Sequence, residues 1–234
     1  MDRNFYAVIV AGGSGVRMGG PMPKQFLDLG GMPILMRSIE LFVRACPEVH
    51  LVIVLPRDHM AWWEQYCLEQ NCPYPQQVVA GGITRFHSVK NALRKVPDGA
   101  VVAVHDAVRP LATEGLVRRM LDRMAGERAL IPVVPVTDTL KVLQERDGGL
   151  APVPGAAVDR SVLFAAQTPQ MFRSEDLKAA YTLPYDTRYT DDASVAEAKQ
   201  IPLSYIAGER LNLKITTPED LILAQAVVTS RARG

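Results

Sequence analysis

The run Tyr6-Ala7-Val8-Ile9-Val10-Ala11 is apolar at every position and stops at two glycines, Gly12 and Gly13. A strand with one face in water alternates apolar and polar residues, so an unbroken run needs cover on both faces. A parallel sheet with helices on either side gives that cover, and the chain keeps the rhythm such a sheet requires. Ile34, Leu35, Ile39, Leu41, Phe42 and Ala45 recur at helical spacing, and Leu51 to Leu55 is a second apolar run closed by Pro56. Met60 to Leu68 predicts a helix and Gln76 to Ala80 a short strand, while Phe86, Val89 and Leu93 fall at i, i+3 and i+7 of a further helix. Val101 to Val104 predicts a strong strand, Leu116 to Met124 a helix behind it, and Ile131 to Val136 a strand. The two prolines in that last strand push it toward a sheet edge or an irregular end. The expected fold class is α/β: one Rossmann-like domain over residues 1–234, with a mostly parallel twisted sheet flanked by helices.

After Val136 the rhythm breaks. The stretch 139–158 mixes short extended pieces with Gly148-Gly149 and Pro152-x-Pro154 and has no helical period, as a projecting β-arm would. The rhythm returns with Ser174 expected to cap a helix over Leu177 to Tyr181, a helix at Ala193 to Lys199, and a strand at Leu203 to Ile206. Thr217-Pro218-Glu219-Asp220 opens the last helix with a cap, a proline at the first helical position and acids in the first turn.

Charge narrows the function. Twenty-six Lys+Arg against 25 Asp+Glu leaves +1, without the basic excess of a nucleic-acid binder, so a bound anion must be met by locally clustered charge. The three cysteines, Cys46, Cys67 and Cys72, are too few for a disulfide framework and find no pair at zinc-ligand spacing; they read as reduced packing residues. No run approaches the roughly 20 apolar residues of a membrane span. Met1-Asp2-Arg3-Asn4 leads straight into the first strand rather than into a signal-peptide core, and the expected location is cytoplasmic.

The stretch richest in chemistry is Ala11-Gly12-Gly13-Ser14-Gly15-Val16-Arg17-Met18-Gly19, directly after the first strand. A glycine turn there lets backbone N–H groups approach a phosphate. Neither standard nucleotide motif fits. The third glycine of Gly-x-Gly-x-x-Gly is replaced by Met18, and Gly19-Gly20-Pro21 offers no Gly-Lys-Ser/Thr ending. What remains is a glycine turn carrying Arg17, with Lys24 seven residues on; two cations beside exposed amides suit a triphosphate. The plainer reading is a strand-to-helix turn with two solvated cations.

Other positions carry similar pairs of readings. Asp106 ends a strand at the same sheet edge, where one carboxylate with phosphate oxygens and water can hold Mg²⁺, or where it can cap a helix or pair with Arg109. Arg109 holds either a substrate phosphate or Asp106 itself. His105, preceding Asp106, points to the opposite face on strand alternation and reads as packing. Arg85 is either part of the site or a surface cation. Lys214, between Leu213 and Ile215, either faces inward and needs an anion or snorkels to water.

The pattern Ala-Gly-Gly-x-Gly-x-Arg-Met…Pro-Lys resembles nucleotidyltransferases that activate sugar phosphates. Further motifs narrow the likeness: Gly81-Gly82…Arg85…Ser88-Val89; His105-Asp106-Ala107-Val108-Arg109-Pro110; Pro135 to Lys141; Asp159-Arg160; Ala166 to Phe172; Thr190-Asp191-Asp192-Ala193-Ser194; and Asn212 to Thr216. In that order, over nearly the whole chain, the set resembles the 2-C-methyl-D-erythritol 4-phosphate cytidylyltransferase family of the non-mevalonate isoprenoid route. Two departures touch only the arm: Leu163-Phe164 stands where Leu-Trp is common, and Glu145 to Ala157 is long.

The resemblance implies that CMP passes from CTP to methylerythritol 4-phosphate with loss of pyrophosphate. It implies Arg17 and Lys24 as catalytic cations, and CTP contacts at Ala11, Gly12, Gly13, Gly15, Gly82, Ser88 and Lys214. Substrate-phosphate contacts would come from Arg109, Thr139, Arg160, Thr168, Thr190 and Lys214, and Mg²⁺ would sit on Asp106. It also implies a homodimer in which Thr139 and Arg160 reach the neighbour's site through the arm, with no nucleic-acid or membrane partner. Such chemistry needs no side-chain base, because a phosphate monoester is already anionic near neutral pH. In keeping with that, no Ser-His-Asp or Cys-His set stands out, and His50, His59, His87 and His105 share no ligand spacing.

Three rivals remain: a cytidylyltransferase for another alditol phosphate such as ribitol 5-phosphate, a non-catalytic nucleotide sensor, and a glycosyltransferase. The last usually wants an Asp-x-Asp-like motif that His105-Asp106-Ala107 lacks, and a sensor need not keep Arg17, Lys24, Asp106 and Lys214 together. Removing one charge aimed at a transition state costs about 10²–10³ in rate. Arg17→Ala and Lys24→Ala should each lose at least about that factor in steady-state turnover, and a near-native rate in either would remove that residue from the reaction.

Overall fold

A computed structural model describes residues 4–12, 22–146 and 148–233. Four parallel strands come first: β1 (Phe5–Val10), β2 (His50–Leu55), β3 (Gln76–Ala80) and β4 (Val101–Asp106). Between and after them run α1 (Ile34–Ala45), α2 (Met60–Glu69), α3 (Arg85–Leu93) and α4 (Glu114–Arg123). The second half holds β5 (Ala129–Pro135), a two-stranded hairpin of β6 (Leu143–Arg146) and β7 (Gly149–Pro152), then β8 (Phe164–Ala166) and β9 (Gln170–Arg173). It ends with α5 (Ser174–Ala180), α6 (Asp192–Ala198), β10 (Ser204–Ala207) and α7 (Pro218–Arg231). The main sheet has the order β10-β5-β9-β4-β1-β2-β3, with β8 also paired to β5. This is the expected mixed, mostly parallel α/β sheet.

The apolar run of β1 divides its side chains between two cores. Phe5, Ala7 and Ile9 join Leu35, Ile39, Phe42, Trp63 and Leu116 on one face. Val8 joins Val52, Val104, Phe86, Val89 and Leu177 on the other. The cover expected from the sequence is therefore present on both sides. Alternation along β4 has the same consequence: Val101 and Ala103 face the first core, Val102 and Val104 the second. His105 thus lies toward Phe42, edge-on at 5.3 Å, and Asp106 toward α3 and α6. The three cysteines pack against the first core as partly buried side chains.

The prolines of β5 do not make it an edge strand. β5 lies between β10 and β9, and its antiparallel partner changes from β9 at Ala129–Leu130 to β8 at Val133–Pro135. Pro132 falls in that gap: its carbonyl accepts from Gln167 N–H at 2.8 Å, and its missing N–H faces the break in the ladder. Neither β8 nor β9 is expected from the sequence; both form on partners from elsewhere in the chain. Ser174 is not a cap either. Arg173 holds the cap position of α5, while Ser174 Oγ accepts the Ala100 N–H at 3.0 Å and ties the helix to the start of β4.

The arm expected over 139–158 contains the β6–β7 hairpin, which pairs only with itself. Leu140, Val142, Leu143 and Leu150 are exposed on and beside it, as are Val162 and Phe164 farther along. The last helix starts as expected. Thr217 accepts from Asp220 N–H, and Asp220 Oδ2 in turn receives Thr216 N–H, Thr216 Oγ1 and Thr217 N–H, a capping box worth about 1 kcal/mol. Among the described residues no helix is long and apolar enough to cross a membrane.

Candidate active site

In open α/β sheets ligands bind beyond the carboxyl ends of the strands, where the strand order reverses. Here that point lies between β1 and β4, and a cleft of about 480 Å³ opens there, lined by Gly12, Lys24, Gly82, Arg85, Asp106 and Lys214 among others. Two larger hollows, of about 750 Å³ along α7 and about 650 Å³ between α1, α4 and the end of α7, hold none of the candidate catalytic, substrate-binding or metal residues.

Backbone ties bring these residues together. Ala11 N–H donates to Val54 O and Ala11 O accepts from Gln25 Nε2 at 2.7 Å, so the backbone of Ala11 is committed to the fold. Ile215 N–H donates to Val108 O, and Lys24 Nζ donates to Ile215 O at 2.9 Å. The stretch carrying Lys214 is therefore held between the loop after β4 and the short helical turn Lys24–Phe26. On the opposite wall Ser88 Oγ donates to Thr84 O at 2.9 Å and accepts Gly82 N–H at 3.0 Å, which shapes the loop before α3. That loop needs glycine. A Cβ on Gly82 would stand 2.4 Å from His87 Cβ and 2.9 Å from the His87 carbonyl carbon.

At the centre lies a chain of charges. Asp106 Oδ1 accepts from Arg85 Nε at 3.1 Å and Oδ2 from Lys214 Nζ at 2.8 Å, with Arg109 Nε 3.9 Å away. Arg85 Nη2 donates at 2.7 Å to Asp192, whose other oxygen accepts from Tyr181 OH at 2.6 Å. Burial would push the Asp106 carboxyl up, but Arg85, Lys214 and Arg109 overcome it and hold the group well below the usual carboxylate range. Burial would lower Arg85, and Asp192 and Asp106 hold it charged. Burial lowers Arg109, with Asp106 opposing. Lys24, Arg85 and Lys214 line the cleft with Asp106, and Arg109 and Asp192 stand behind them in the same set of ion pairs.

Of the residues picked from the sequence, Ala11, Gly12, Lys24, Gly82, Ser88, Asp106 and Lys214 converge on this cleft. Gly13, Gly15 and Arg17 lie outside the described residues. Arg85 is no surface cation, and the anion that Lys214 needed is Asp106. Arg109 Nη1 donates to Asn212 O at 2.9 Å, while its Nε makes no hydrogen bond. Thr168 is a correction: it is buried, and its hydroxyl accepts Asp106 N–H at 3.0 Å and faces His105 Nδ1 at 3.1 Å. It supports Asp106 from behind and has no hydroxyl free for a substrate. Thr139, Arg160 and Thr190 are exposed and line none of this cleft; Arg160 Nη1 donates to Thr137 O at 2.6 Å. Asp192 and Tyr181 received no role from the sequence. The adjacent acids Asp191-Asp192 were the available signal, one capping α6 and the other turned into the core.

A family model described as "IspD: 2-C-methyl-D-erythritol 4-phosphate cytidylyltransferase" matches residues 5–230. The chain belongs to this family. A cytidylyltransferase of that name from Porphyromonas gingivalis is 45% identical over 98% of this chain and 100% of its own length. Another, from Bacteroides fragilis, is 41% identical over 95% of this chain and 98% of its own. The crystal structure of 2-C-methyl-D-erythritol 4-phosphate cytidylyltransferase from Thermus thermophilus superposes with a TM-score of 0.71 at 28% identity, covering 98% of this chain and 100% of that one. The cytidylyltransferase fold expected from the motifs is therefore the fold found, as one α/β domain.

His105 supplies a pH test of the site's support. Burial pushes its imidazole down to about 4, against the pull of Asp106. The neutral ring gives Nε2–H to Arg109 O at 3.1 Å, which leaves Nδ1 to accept from Thr168. Because the folded value lies below that of a free imidazole, the stabilisation is complete above about pH 6.5 and is lost as pH falls toward 4. Urea denaturation of the native protein should show a loss of about 3 kcal/mol across that window. The variant His105→Gln, less stable at pH 7, should lack that component, and equal pH slopes in the two proteins would assign the titration elsewhere.

Proposed function

We propose that this chain transfers CMP from CTP to 2-C-methyl-D-erythritol 4-phosphate, giving 4-diphosphocytidyl-2-C-methyl-D-erythritol and pyrophosphate for isoprenoid precursor synthesis in the cytoplasm. The observation that carries this reading is the gathering of Lys24, Arg85, Lys214 and Asp106 at the switch point of a chain whose residues 5–230 match the family. Lys24, tied to Ile215 O, and Lys214, tied to Asp106, both line the cleft, and in this reading both turn to the nucleotide phosphates. With Arg17 they offset the charge that grows as the bond to the leaving pyrophosphate breaks. The substrate phosphate attacks the α-phosphorus in line, and the cleft's task is to align the two anions.

Mg²⁺ suits Asp106, which is ionised, faces the cleft and can act with phosphate oxygens as co-ligands. When bound, the ion neutralises phosphate charge. Among the described residues no group of three or more His, Cys, Asp or Glu converges, which fits a metal carried in with the nucleotide. Lys214 is the partner that entry of the ligand exchanges: its side chain is 41% exposed, whereas Arg85 is held on two sides.

The working unit in this reading is a homodimer. Thr139 and Arg160 lie away from their own chain's cleft, and the exposed apolar side chains around the hairpin give a second copy a surface to cover. Both residues would then complete the neighbour's site and hold the sugar phosphate.

Pyrophosphate release with Mg²⁺ and CTP should be fast with methylerythritol 4-phosphate and slow with ribitol 5-phosphate; the reverse order would overturn the substrate and keep the nucleotide chemistry. Binding of CTP with release in neither case would favour the sensor. Subunit mixing tests the shared site. Inactive Lys24→Ala and Arg160→Ala proteins, mixed in equal amounts and allowed to exchange, should regain about a quarter of native activity, because half the dimers carry one intact site. A mixture as inactive as its parents would place Arg160 in its own chain's site.

A further inference from the structure

Asp192 is fully buried and lines none of the cleft, yet it holds the guanidinium that reaches Asp106. Its surroundings fix it closely. Tyr181 OH occupies one oxygen. The start of α6 is pinned to β9 by Gln170, which donates Nε2–H to Asp191 Oδ2 at 2.7 Å and accepts Ala193 N–H at 2.9 Å. Asp191 and Ser194 close a capping box around it. Arg85 therefore turns its Nη2 toward Asp192 and offers Asp106 only Nε. A guanidinium left with one carboxylate as its partner prefers the two-pronged fork that engages both oxygens.

We propose that Asp192 is a positioning residue: by holding Arg85 in this turned orientation and balancing its charge, it keeps Arg85 to one oxygen of the Asp106 carboxylate, so that the other, which Lys214 holds, can pass to a divalent cation. This rests on the metal role of Asp106 given above. Without the charge on Asp192, Arg85 has a single carboxylate to serve, closes on both oxygens of Asp106, and competes with the metal. A purely structural ion pair would affect stability and leave cation affinity alone.

The test uses Mn²⁺ as the probe, in the presence of CTP and the absence of sugar phosphate, with binding followed by water-proton relaxation enhancement. In the full chain, Asp192→Asn should raise the Mn²⁺ concentration for half-saturation about tenfold or more. Adding Arg85→Gln to that variant should recover most of the lost affinity, since it removes the competing cation. The proposal is overturned if Asp192→Asn binds Mn²⁺ as tightly as the native protein, or if the double variant binds as weakly as the single one. If Asp192→Asn does not fold, the comparison passes to Arg85→Gln with and without Asp192→Asn, where removing both partners is milder than stranding one. Equal affinities then support action through Arg85, and a tenfold gap refutes it. The two possible failures separate. No Mn²⁺ uptake by the native protein removes the metal from Asp106 and this inference with it, whereas native uptake matched by Asp192→Asn removes only the role of Asp192.

Discussion

An ionised carboxylate almost out of reach of water is unfavourable unless other charges and donors replace its hydration. Asp106 is in that position, and groups from both halves of the chain supply the replacement. Arg85 comes from the first turn of α3, Lys214 from the stretch before α7, and Arg109 from the loop directly after β4. Thr168, between β8 and β9, takes the backbone N–H. These groups lie far apart in the chain, and the reversal of strand order beside β1 is what gathers them at one edge.

The two faces of β4 separate the requirements of stability from those of charge. His105 faces the aromatic core and is kept neutral there; Asp106, one residue later, faces the opposite side and is kept ionised. One hydroxyl, that of Thr168, touches both residues. Thr168 thus links the ring of His105 to the backbone of Asp106 from behind the cleft.

Much of this was legible in the sequence, for physical reasons. β1 and β2 announced themselves because strands buried on both faces must be apolar throughout, and α1 and α7 because amphipathic spacing and capping chemistry are local. β8 and β9 were not visible, because they owe their existence to the partners β4 and β5 elsewhere in the chain. The prolines of β5 misled because a missing N–H matters only on the side where a donor is needed, and the change of partner at Pro132 removes that need. Within the site, Gly12, Lys24, Asp106 and Lys214 were identified as parts of recognisable motifs. Asp192 was quoted in such a motif without a role, since burial and the identity of a partner more than 100 positions away cannot be read from spacing. Thr168 failed in the opposite sense: a threonine in a suitable motif says nothing of whether its hydroxyl faces a ligand or the protein.

The insertion of β9 between β4 and β5 affects how the chain assembles. β1 to β4 can build their parallel ladder from the first half alone, but the outer edge of β4 has no neighbour until Gln170 to Arg173 arrive, after the hairpin excursion. During synthesis, β4 therefore waits as an open margin, apolar from Val101 to Val104, that could template pairing with other chains. Closure by β9 completes the sheet and, in the same step, delivers Thr168 and the anchor for α6, so the charged centre is finished only once that margin is sealed.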